Sequence, residues 1–336
     1  TPGAPKLRAF SSEADLRSFL ASQATASYRH GSGMGGSGGF GMPIMADQSN
    51  TAPAGPPAPE TSGGAGYSTT NIQEVGVDES DIVKNNGDTI YMLSADKVHV
   101  VKATPADGMA EVATIPIDSS GNSLYLVGNR LVALSGYGYY GWGYGGMEPM
   151  PMVSGGGGSA NMGVAVASPG MKTAANSMSA MLDGPWSDGS QTTVTLIDVS
   201  NPSAPAVTKT IRFEGSLASS RLIGSKLHLV LTTMPRLPAN PTPENIEAMT
   251  TDEWLPQYQV VTSDGSTTSG PAVGWQGCLR PDDPNGYAMT VVVTLDIDNP
   301  DTPFDTTAVT ANVGVIYAST QALYLTDTQY SYDDFS

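Results

Sequence analysis

One phrase occurs twice in this chain and constrains its fold more than any other feature. Val194-Thr-Leu-Ile-Asp-Val-Ser-Asn-Pro-Ser-Ala-Pro205 is matched by Val292-Val-Thr-Leu-Asp-Ile-Asp-Asn-Pro-Asp-Thr-Pro303. Each copy reads as a buried strand closed by a turn. The β-branched run favours extended backbone, the Asp bonds amides downstream of itself, and Pro pre-sets φ for the turn. A strand-and-turn unit that recurs marks a repeat architecture, and the blade of a β-propeller fits it best.

Four hairpins of one make accompany these phrases. They are Thr89–Leu93 with Val98–Lys102, Ser123–Val127 with Leu131–Leu134, Leu222–Ile223 with Lys226–Leu231, and Val313–Tyr317 with Ala322–Leu325. A hairpin joined to an Asp-x-x-Asn-Pro strand gives a four-strand cycle. The expected fold class is all-β: a β-propeller with about three to four four-stranded blades, its ring incomplete in this chain, carrying an N-terminal helix and long Gly-rich insertions. Asp198 and Asp296 lie 98 positions apart, against about 40–50 for a plain blade. Insertions at 136–190 and 234–289 account for the excess, the second holding a short predicted helix at Thr242–Met249 with Pro243 at its start.

The chain divides into a helical segment at 1–27, a Gly/Ser/Pro-rich linker at 28–66, and the N-terminal part of the propeller at 67–336. In the first segment Ser11–Ala21 reads as a helix, with Ser12 as cap and Leu16, Phe19 and Leu20 on one face. That face needs a neighbour to bury it. About three cycles fall short of the 4–8 blades that close a ring. Further polypeptide is therefore expected to complete it: the remainder of the propeller, or a second chain.

With 32 carboxylates against 15 Lys and Arg, the net charge is −17. Such a chain repels nucleic acid and anionic lipid. Cys278 is the single cysteine, a usage that leans toward export. No run approaches the roughly 18 apolar residues of a transmembrane segment.

The segment Tyr67-Ser-Thr-Thr-Asn-Ile-Gln-Glu-Val-Gly-Val-Asp-Glu-Ser-Asp-Ile-Val-Lys-Asn-Asn-Gly-Asp-Thr-Ile-Tyr91 resembles the entry motif of a secreted bacterial and archaeal β-propeller family. Leu7–Leu16, Gly215–Arg221, Glu253–Tyr258 and Cys278–Pro284 leading into Val291 fit the same family. The resemblance implies a C-terminal propeller distantly related to WD repeats, export, and longer members than this chain. It attaches no enzyme activity.

Three groups of residues carry candidate chemistry. Asp78, Glu79 and Asp81 form an acidic knot of oxygen ligands suited to Ca²⁺, without the spacing of an EF-hand. The structural alternative is that they cap amides or pair with Lys84 or Arg130. Met147, Met150 and Met152, like Met34, Met42 and Met45 near His30, offer thioethers to Cu(I), or else fill irregular loops. Tyr137, Tyr139, Tyr140, Trp142 and Tyr144 make a Gly-spaced aromatic tract suited to a protein partner, to a glycan, or to inert packing. His99 and His228 sit at matching hairpin positions and read as core or blade-edge residues. Cys278 is expected to pair with a cysteine outside this chain, or to be buried. No nucleophile elbow, zinc-protease or P-loop motif occurs.

The expected function is a secreted, periplasmic or cell-surface β-propeller, acting as a non-catalytic scaffold for other surface proteins. The alternatives are an exported calcium or copper protein, and an enzyme whose site lies in blades outside this chain.

Overall fold

The computed structural model describes residues 7–32, 76–117, 121–137, 190–235, 237–238, 240–284, 286–311 and 313–327. Strand β1 (Leu7–Ala9), helix α1 (Glu13–Ser32) and strand β2 (Val77–Asp78) come first. Then follow β3 (Val83–Asn85), β4 (Thr89–Ser94), β5 (Lys97–Lys102) and β6 (Ala110–Pro116), the antiparallel sheet of blade 1. Blade 2 is β7 (Gly121–Val127), β8 (Arg130–Tyr137), β9 (Gln191–Asp198) and β10 (Ala206–Glu214). Blade 3 begins with β11 (Ser216–Ile223) and β12 (Lys226–Thr233). Helices α2 (Pro243–Glu247) and α3 (Thr251–Trp254) and strands β13 (Gln257–Thr262), β14 (Thr267–Pro271) and β15 (Cys278–Pro281) intervene. Blade 3 then resumes with β16 (Met289–Asp296) and β17 (Asp305–Val309), and a two-stranded sheet of β18 (Val313–Ala318) and β19 (Leu323–Asp327) follows.

Within each blade the strands run A, B, C, D, and the three blades superpose in their bonding. The first residue of strand B faces the last of strand C at Thr89↔Lys102, Arg130↔Asp198 and Lys226↔Asp296. The next amide, at Ala103, Val199 and Ile297, donates back to the A–B turn carbonyls of Asp88, Asn129 and Ser225 at 2.8, 2.9 and 2.8 Å. The repeated phrase is strand C with its C–D turn. Asp198 Oδ1 accepts from Ser200 N at 2.8 Å and Asp296 Oδ1 from Asp298 N at 3.1 Å. These bonds satisfy turn amides that no strand can reach.

This register corrects one expectation. The hairpin spanning Thr89–Lys102 is B–C, whereas the other three are A–B. Blade 1 takes its A strand from Val83-Lys84-Asn85, too short and too polar to read as a strand. His99 on β5 and His228 on β12 therefore do not occupy matching positions.

Each blade buries one face against its neighbour. Tyr91, Val98, Val100 and Ile115 of blade 1 pack on Leu124, Leu131, Ala133 and Ile197 of blade 2. Val132, Leu134, Val194 and Phe213 on the opposite face of blade 2 join Leu227, Leu229, Val291 and Val293 of blade 3. Buried threonines at the start of strand C tie blades 2 and 3 to the links beyond them. Thr192 Oγ1 donates to Gly215 O and Thr290 Oγ1 to Ala311 O, both at 2.8 Å. Gly215 has φ +115°, and a Cβ there would stand 2.9 Å from Thr232 O, so that link demands glycine.

The helix runs past the expected Ser11–Ala21, to Ser32. Ser12 Oγ accepts from Asp15 N at 3.1 Å, and Asp15 Oδ2 accepts in return from Ser11 N at 3.0 Å. Leu16, Leu20, Ala21 and Ala24 are buried along one stripe. It docks on the second insertion, where Arg17 Nε donates to Met249 O at 3.0 Å. Arg280 lies 5.0 and 5.6 Å from the Phe10 and Phe19 ring centres.

The stretch 234–289 is more than its one predicted helix. It holds α2, capped by Thr242, and α3, and it widens two blades. Strand β13 pairs with β10, so blade 2 gains β13 and β14 at its outer edge. Strand β15 runs parallel to β17 and carries β1 on its far side, while β2 joins the inner edge of blade 3 through β11.

Among the described residues the ring is not closed. Tyr324 and Leu325 pair with Tyr317 and Ile316, while Ile90 lies between Asn85 and Val101. No described helix is long and apolar enough to cross a membrane.

Candidate functional site

Two features stand out from the blade plan, and the first is where the insertions leave it. Blade 1 closes its B–C hairpin with two residues, Ala95 and Asp96, between the paired Ser94 and Lys97. In blade 2 the same hairpin opens between the paired Tyr137 and Gln191, and in blade 3 between Thr233 and Met289. Both insertions therefore leave from equivalent hairpins, on one face of the molecule. The opposite face carries the short A–B turns and the Asp-x-x-Asn-Pro turns. There Lys209 of blade 2 donates to Pro300 O at 2.5 Å and Asp301 Oδ1 at 2.9 Å, fastening two blades together.

The second feature lies where the inner A strands converge. Three residues hold corresponding places on successive A strands: Lys84, Tyr125 and Arg221, paired with Tyr91, Val132 and His228. The acidic knot meets them. Lys84 Nζ donates to Asp78 Oδ1 at 2.9 Å and Oδ2 at 3.1 Å, and to Glu79 O at 2.8 Å. The same ammonium stands 5.6 Å from the Tyr125 ring centre. Glu79 Oε1 lies 3.5 Å from Arg221 Nη2. The Tyr125 hydroxyl donates to Ser220 Oγ at 2.9 Å. Asp81 bridges through its backbone to Leu124 of blade 2, and its Oδ1 caps Ile82 N at 2.7 Å. Lys84 is only 6% exposed, so its charge needs this company.

Asp78 and Glu79 thus meet an ammonium and a guanidinium, while the Asp81 carboxylate is exposed and turns to the Ile82 amide. Lys84 is the partner named from the sequence. The other is Arg221, while Arg130 stands near Asp198 and Asp301 on the turn face. Asp198 is held below the usual carboxylate range mainly by the Ser200 amide, and Asp301 mainly by Lys209, with Arg130 adding to both. Arg221, Tyr125 and Ser220 went unnoticed in the sequence. Aligning the A–B turns would have put Lys84, Tyr125 and Arg221 in one column.

The remaining candidates are dispersed. His228 Nδ1 lies 3.0 Å from Thr294 Oγ1, with its pKa lowered by burial and then by Lys226. His99 Nδ1 lies 3.2 Å from Glu111 Oε1 on blade 1. Cys278 is buried, its Sγ donating to Gly274 O at 3.6 Å, and burial pushes the thiol up to about 12. Such a thiol is a poor nucleophile. Among the described residues no three His, Cys, Asp or Glu side chains gather as a metal cage. The backbone of Tyr137 ends β8. Tyr139, Tyr140, Trp142, Tyr144, Met147, Met150 and Met152 lie outside the described residues, as do Met34, Met42 and Met45.

A family model described as "Beta propeller domain" matches residues 67–335. No curated protein matches the chain.

Proposed function

This chain belongs to the β-propeller domain family, and from that premise we propose that it is an exported, non-catalytic scaffold that binds other proteins at the cell surface. The observation that carries the reading is the shared origin of its two insertions. Repeat folds gather binding loops on one face, because a rigid scaffold tolerates additions at hairpins without disturbing its core. Here both additions leave from the B–C position that blade 1 closes with Ala95 and Asp96. The first carries the aromatic tract from Tyr137 to Tyr144, whose Tyr and Trp side chains suit protein contact. The second is ordered against α1 and widens blade 2, giving that face a firm neighbour. At the inner strands, ionisable groups are committed to one another, which favours a structural role there over a catalytic one.

Cross-linking in the producing cells, followed by capture of the chain, tests the proposal. Replacing 138–190 by Ala-Asp should abolish the chain's surface cross-links while leaving the protein folded and exported. An unchanged set of cross-linked proteins would refute the reading.

A further inference from the structure

We propose that Gly76–Glu79 is an axial latch, a strap that couples the β18–β19 hairpin and blade 3 to blade 1. This four-residue segment reaches an unusual number of sheets. Val77 and Asp78 pair with Ile223 and Leu222 along the inner edge of blade 3. The Asp78 carboxylate holds Lys84 of blade 1, and through that ammonium meets Tyr125 of blade 2. Glu79 holds Arg221 of blade 3. Gly76, at φ +90°, lies against the turn between β18 and β19, where an added Cβ would stand 3.1 Å from Thr320 Cγ2.

The ladder that seats the segment is only two residues long, and Val77 is its one fully buried apolar side chain. Two ladder pairs cannot fix a strand alone, because the entropy of ordering each residue is about 1–2 kcal/mol. The ion pairs to Lys84 and Arg221 therefore set how firmly the latch is closed. Asp78, Glu79 and Arg221 are each about a quarter to a third exposed. The latch is thus reachable by solvent and open to weakening without loss of the blade cores. Released, it frees the contact at Thr320 as well as the inner edge of blade 3.

Hydrogen exchange by mass spectrometry on the full chain tests this. Glu79→Gln and Arg221→Gln remove the same ion pair from opposite sides, and Asp78→Asn removes the other. Each should speed exchange at β2, the inner edge of β11 and the β18–β19 hairpin by about tenfold or more, leaving β8 and β9 protected. Glu79→Gln is nearly isosteric at a partly exposed site, so it reports even if Arg221→Gln folds poorly. Exchange that changes only at β2 and β11, that rises evenly through all sheets, or that does not change would each overturn the proposal.

Discussion

Tyr125 of blade 2 and Ser220 of blade 3 join their inner strands through a hydroxyl bond of 2.9 Å, with both residues buried. Burial raises the Tyr125 pKa, since the phenolate would lose its water. Tyr125→Phe removes the donor and strands the Ser220 hydroxyl in the interior. We expect a loss of about 1–3 kcal/mol in urea denaturation. Adding Ser220→Ala should recover part of it.

The same tyrosine predicts an alkaline limit. Its folded pKa lies above its unfolded value of about 10. Its contribution is therefore complete below pH 10 and lost as pH rises through the folded value. The wild-type chain should lose urea resistance above about pH 10. Tyr125→Phe should show a shallower decline.

On the acid side the turn carboxylates decide. Lys226 and Asn299 hold Asp296 well below the usual carboxylate range, and the Ser200 amide lowers Asp198. Groups with depressed folded pKa values stabilise above their unfolded values, near 4, and that help is lost as pH falls through the folded ones. Melting temperature should be flat at neutral pH and drop below about pH 4. Asp296→Asn should lower it at pH 7 and flatten the acid limb.

Leu131 is wholly buried between blades 1 and 2. Leu131→Ala should cost about 2–5 kcal/mol by chemical denaturation, through lost burial and the cavity left behind. The amides of β4 and β5 should lose protection before those of β12 and β16.

Because Lys84 and Arg221 already neutralise Asp78 and Glu79, exhaustive treatment with a calcium chelator should leave the melting temperature unchanged. A fall restored by added Ca²⁺ would reverse our assignment of these carboxylates to structural pairs.

What the sequence disclosed followed the range of the forces involved. The C strands and their turns were readable because Asp198 and Asp296 act on amides two residues away. The A strand of blade 1 was not, since Lys84 is buried only by virtue of Asp78, Glu79 and Tyr125 gathering around it. Strand β14, Thr-Thr-Ser-Gly-Pro, has no apolar alternation at all. It is extended because β13 offers a ladder, and β13 because β10 does. The acidic knot was visible as three carboxylates within four residues, Asp78 to Asp81. Its meaning rested on Arg221, placed beside Glu79 by the pairing of β2 with β11.

The central claim, that two of three equivalent blades carry additions at the hairpin position that blade 1 closes tightly, is tested most directly by unfolding a shortened chain. Residues 138–190 would be replaced by Ala-Asp, so that Tyr137 and Gln191 close as Ser94 and Lys97 do. The account predicts a single cooperative urea transition with a midpoint close to that of the parent. A chain that unfolds without cooperativity, or fails to fold, would contradict it.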